Sequence, residues 1–112
     1  MTATADWWAG LPGLSTAATR TEADRLTALA CAVRITAPAV TAADGGYTTA
    51  TNRAETAAEH FADWLADAGS DADARTRRIC LCLTSTLAVP DATGWRDILA
   101  TAKWMLRFIR DT

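Results

Sequence analysis

Between Asn52 and Gly69, small and apolar residues return at a spacing that only an α-helix satisfies. Ala54, Ala57, Ala58, Phe61, Trp64, Leu65 and Ala68 fall on one broad face, and Glu55, Glu59, Asp63 and Asp67 follow one another at i,i+4 on the opposite one. Asn52 reads as the N-cap with Glu55 at the capping-box position, and Gly69 stands where a left-handed C-terminal residue is expected. Like charges at this spacing weaken an isolated helix by roughly a few tenths of a kcal/mol each. Burial of the other face has to outweigh them, so the rest of the chain must supply apolar faces to bury it.

It does so with the same period. Thr19 and Glu22 have capping-box spacing, after which Leu26, Leu29, Ala30 and Val33 recur helically until Pro38 stops the pattern. A third helix is predicted from Ser70 or Asp71 to about Val89, with Asp71 and Asp73 at its positive end. Its core face reads as Ile79, Cys82, Leu83, Thr86 and Leu87, widened by Cys80 and Leu81. Truncating Leu83 to Ala is then expected to cost about 2–5 kcal/mol. A fourth helix follows Pro90, with Asp91 or Thr93 as its cap. Residues 39–51 contain the turn signal Asp44-Gly45-Gly46 and some strand character at Tyr47–Thr49, and read as a connecting loop. Residues 1–18 form an aromatic arm, with Trp7 and Trp8 ahead of Gly10, Pro12 and Gly13, expected to lie over the helices. The reading is one domain over 1–112, all-α, a compact four-helix bundle-like fold. Phe61, Trp64, Leu65, Ile79, Leu83, Ile98, Leu99, Met105, Leu106 and Ile109 are its expected core.

Composition agrees. The 112 residues are half hydrophobic, and Ala, the best helix former, makes up about a quarter of them. The prevalence of Asp and Arg over Glu and Lys is the usage of a GC-rich coding sequence. The net charge of −2 lacks the basic excess of a general nucleic-acid binder. The charges are nonetheless segregated: from Glu55 to Asp73 only acids occur, and from Arg75 onward bases dominate. The opening residues have neither a basic start nor an apolar stretch, so no secretory leader is expected, and Ile79–Leu83 is far too short to span a bilayer. Cys31, Cys80 and Cys82 read as reduced, buried thiols of a cytoplasmic protein.

Catalytic motifs fail on spacing. Three Cys and one His are numerically a zinc set, but Cys80 and Cys82 stand about 200° apart on a helix and cannot both face one metal. His60 lies between Glu59 and Asp63, yet Ala57 occupies the place of the Glu in the Glu-x-x-His of di-iron bundles, and no nucleophile is marked beside His60. Gly45-Gly46 lacks the Lys and the following helix of a phosphate loop. No enzyme, metal or cofactor is expected. Residues 65–81 have the outline of a helix-turn-helix with Arg75, Arg77 and Arg78, but Asp71 and Asp73 would meet phosphate in the first turn.

The last helix carries the one candidate surface. Spaced at 100° per residue, Arg96, Lys103, Arg107 and Arg110 occupy a sector of about 60°. Leu99 and Leu106 lie to one side of it, Trp104 and Phe108 to the other, and Trp95, Ile98, Ala102, Met105 and Ile109 point to the core. Two readings follow. Either the arm or the loop covers the aromatics and the cations are a wet edge, or the six residues Arg96, Lys103, Trp104, Arg107, Phe108 and Arg110 bind a partner. A protein partner, including a second copy offering its Glu55–Asp67 stripe, is favoured over nucleic acid, and a membrane is not expected.

The stretches "NRAETAAEHFADWLADAG" and "WRDILATAKWMLRFI" resemble small, Ala-rich, all-helical accessory proteins of actinobacterial phages and mobile elements. That resemblance implies a cytoplasmic, non-catalytic protein that contacts a host or phage macromolecule, and it transfers no functional residues.

Overall fold

In the computed structural model, which describes residues 19–89 and 93–111, Thr19 opens the first helix as its spacing to Glu22 predicts. Its hydroxyl accepts from the Glu22 amide at 3.2 Å, satisfying one of the free donors of the first turn. Helix α1 runs over Arg20–Thr36, α2 over Gly46–Ala66, α3 over Asp71–Thr86 and α4 over Trp95–Arg110, with short 3₁₀ turns at Ala37–Ala39 and Ala42–Asp44. The described residues contain no strand, and the fold is an all-α, bundle-like domain. The expected arm, residues 1–18, and Asp91 lie outside the described residues.

Helix α2 begins six residues before Asn52, so the expected loop over 39–51 is largely helix, and Asn52 is an exposed interior residue. The Thr41 amide and hydroxyl both donate to the Asp44 carboxylate at 3.0 Å, closing the preceding turn. Those bonds, the amide's first, hold the Asp44 carboxyl below the usual carboxylate range. Gly45 then takes φ 107°, and a Cβ there would collide with the Thr49 hydroxyl. Within the Thr-rich stretch of the helix Thr51 donates its hydroxyl to the Tyr47 carbonyl at 2.8 Å. Gly69 is not a left-handed cap either. Among the described glycines positive φ occurs at Gly45 and Gly46, and α2 ends at Ala66 with Asp67 still in the right-handed region. Ser70 caps α3, accepting from the Asp73 amide at 3.1 Å. Gly94 occupies the cap of α4, its amide donating to Asp97 at 3.1 Å in place of a Thr93 cap.

Helix α1 packs along α2 and α3, and α4 leans on α3 and reaches α2 where Trp95 stacks on His60, ring centroids 3.7 Å apart. Phe61 and Leu65 are fully buried at the centre, with Leu81, Ile98, Leu99, Ala102 and Leu106 around them. The expected core is corrected at Leu83 and Ile109, which are exposed, while Trp64, Ile79 and Met105 are only partly buried.

Two helices present a face nearly opposite to the one their large apolar residues mark. Helix α1 buries Ala23, Thr27, Ala28, Cys31, Ala32 and Ile35 and leaves Leu29 and Val33 half exposed. Helix α3 buries Ala74, Arg78, Cys80, Leu81, Cys82, Thr84 and Ser85 and turns Leu83 and Leu87 outward. Each is about half a turn from the apolar stripe read from sequence. Small side chains let α1 and α3 approach until the Cys31 and Cys82 sulfurs are 3.8 Å apart.

A polar cluster fixes this rotation at one end of the domain. Arg78, buried, donates to buried Asp24 at 2.7 Å, and Arg20 pairs with the same carboxylate at 3.6 Å. Arg20 also donates to the carbonyls of Leu65, Ala66 and Ala68, and Arg77 to that of Trp64 at 2.7 Å. These arginines satisfy the free carbonyls at the negative end of α2. Asp73 accepts from the Gly69 amide and pairs with Arg77 and with Arg110 of α4.

Candidate functional site

The outer face of α4 carries the expected surface, with two of its six residues, Arg96 and Arg110, exposed but engaged by neighbouring side chains. Trp104 is 52% exposed and Phe108 70%, and their rings lie 5.7 Å apart at 26°, as residues one turn apart on a helix allow. They stand across the helix from Ile98, Leu99, Ala102 and Leu106, which are buried. The core direction is rotated from the expected Met105–Ile109 side towards Leu99 and Leu106. That rotation brings Arg110 to Asp73 on α3, and Ile109, in the last turn of the helix, is exposed. Arg96 lies over the Trp95 ring at 4.8 Å, in a stack that continues to His60. Lys103 and Arg107 remain exposed beside the aromatic pair. The expected file of four cations is therefore a pair of open cations, one turn apart, flanked by two engaged ones.

A second surface was not legible as such. Between α1 and α2 runs an open groove of about 1000 Å³. Its floor on α2 is Ala50, Ala54, Ala58 and Ala62, and its wall on α1 is Leu29 and Val33. Glu55, Glu59 and Asp63 line one rim, with Arg25 and Tyr47 also on the lining. Alanines at i,i+4 carry no side chain beyond Cβ, so an incoming group can approach the α2 backbone closely. The sequence held a signal for it in that Ala file, but the exposure of Leu29 and Val33 depended on the rotation of α1.

The sets that suggested metal or DNA chemistry are dispersed or spent. His60 is exposed and stacked on Trp95, whereas Cys31 and Cys82 meet in the buried core. Among the described residues no three His, Cys, Asp or Glu side chains converge as a metal site. Of the arginines with a helix-turn-helix outline, Arg78 is buried against Asp24, and Arg77 is held by Trp64 and Asp73. Only Arg75 points fully outward. No described helix is long and apolar enough to cross a membrane.

All three thiols are buried. Contact with Cys31 and burial push the Cys82 thiol up, and burial alone pushes Cys80 up. The thiolate is the reactive form, so a disulfide reagent added to the native protein at neutral pH should find no fast-reacting thiol. In denaturant it should titrate three. Stoichiometric reaction before unfolding would show that the core opens. The linkage has a definite sign. Both folded thiols stay protonated where the unfolded chain ionises, so their stabilisation is present below the ordinary thiol range and is lost progressively as pH rises through and above it.

Comparison with protein-family models, curated proteins and solved structures finds no match for the chain.

Proposed function

We propose that this chain is a non-catalytic, cytoplasmic binding protein that docks a protein partner on the outer face of α4. The observation that carries the reading is the stacked Trp104–Phe108 pair, exposed on the side of α4 turned away from the core. Aromatic residues of this kind become dominant anchors when a partner desolvates them, while Lys103 and Arg107 supply a polar rim. The resemblance to phage and mobile-element accessory proteins points to a host or phage protein as that partner. Nucleic acid fits less well, because Arg96 and Arg110, though exposed, are already engaged within the molecule by Trp95 and Asp73.

Trp104→Ala and Arg107→Glu separate these partners. For a protein partner, Trp104→Ala should weaken binding by about 2 kcal/mol or more, with little change at moderate salt. For nucleic acid, Arg107→Glu should dominate, and affinity should fall with salt with a log–log slope near −0.9 per phosphate neutralised, so roughly −2 for two cations. If Trp104→Ala is silent while Arg107→Glu removes salt-sensitive DNA or RNA binding, the protein-partner reading is wrong.

A further inference from the structure

Helix α4 and the α1–α2 groove are complementary in three respects that one molecule cannot use by itself. The first is charge. The groove is rimmed by Glu55, Glu59 and Asp63 at successive i,i+4 positions, and α4 presents Lys103 and Arg107 at the same spacing. Each step is about 6 Å along a helix axis, so two such files laid side by side stay in register. The second is shape. The Ala file of α2 leaves a shallow floor without large side chains, and Trp104 and Phe108 stand beside the cations as two bulky rings one turn apart. The third is apolar exposure on both sides, since Leu29 and Val33 on the groove wall and both aromatic rings are half exposed or more. Within one chain the two surfaces cannot meet. Helix α4 is packed on α3, touches α2 through Trp95 and His60, and turns Trp104 and Phe108 away from the core.

We infer that the groove between α1 and α2 is the docking site for helix α4 of a second copy of this chain. This rests on the reading of the α4 face as a protein-binding surface and adds the identity of the partner. Trp104 and Phe108 of one copy lie over Ala54 and Ala58 of the next, between Leu29 and Val33 on one side and the carboxylates on the other. Lys103 and Arg107 face Glu55, Glu59 and Asp63. The two surfaces differ, so the contact is heterologous, and it either closes reciprocally or continues from copy to copy.

Charge exchange tests this directly, because Glu59 and Arg107 are both exposed. Sedimentation of the full chain at low ionic strength should show concentration-dependent self-association. Glu59→Lys alone and Arg107→Glu alone should each weaken it by about tenfold or more, since each juxtaposes like charges. An equimolar mixture of the two variants should restore it. In the mixture the charge-reversed groove of one variant meets the charge-reversed helix of the other, and the unaltered groove meets the unaltered helix, so every contact can be complementary. Trp104→Ala should abolish association without loss of helical signal. A wild-type chain that stays monomeric at all concentrations overturns the inference, and so does a mixture no more associated than its components. If the wild type is monomeric while Trp104→Ala still loses a different protein partner, the inference fails and the α4 reading stands. Association indifferent to Trp104→Ala removes both.

Discussion

Asp24→Ala should lower the stability of the fold by about 3–5 kcal/mol, because it leaves the Arg78 guanidinium buried without its counter-charge. The two groups lie 2.7 Å apart, and both residues are buried between α1 and α3. Arg20 would lose the same carboxylate while keeping its bonds to the α2 carbonyls, so the damage should concentrate at Arg78. A domain of this size is stable by about 5–15 kcal/mol in total, so the loss is a large share of what holds it. Replacing both partners, Asp24→Leu with Arg78→Met, should cost much less, since neither charge is then stranded. Denaturant titration checks this: the midpoint should fall sharply for the single change and largely recover for the pair. Equal losses for single and double replacements would mean that packing volume, and not charge, governs the site.

Leu81→Ala should cost about 2–5 kcal/mol, and Leu83→Ala less than about 1 kcal/mol, although the two leucines are two residues apart on one helix. Leu81 is fully enclosed, so truncation opens a cavity that the surrounding helices can only partly fill. Leu83 is 41% exposed and loses mainly solvent-facing surface. Reading α3 from its apolar period reverses this order, because Ile79, Leu83 and Leu87 form the more conspicuous stripe. A larger loss at Leu83 than at Leu81 would mean that α3 is rotated in solution from its place here.

The α4 surface was legible because helix geometry alone places Trp104 beside Phe108 and Lys103 beside Arg107. Which cations remain open was not legible, since Arg110 is claimed by Asp73, thirty-seven positions earlier in the chain, across the α3–α4 contact. The groove was half visible. Its acidic rim follows from the i,i+4 carboxylates of α2, but its apolar wall exists only because α1 turns Leu29 and Val33 away from the core.

Local chemistry, then, determined what sequence could determine. Thr19 and Ser70 start helices because their hydroxyls satisfy free amides, and the period of α2 places Phe61 and Leu65 inside. Tertiary structure decided the rotation of α1 and α3. The apolar stripe of α3 does not select its inner face alone, because this helix is buried over more than half its circumference. There, close approach through Ala, Cys, Thr and Ser, together with the Asp24–Arg78 pair, outweighs the transfer free energy of a few leucines. Neither the closeness of two backbones nor an ion pair between residues fifty-four positions apart is written in the period of a single helix.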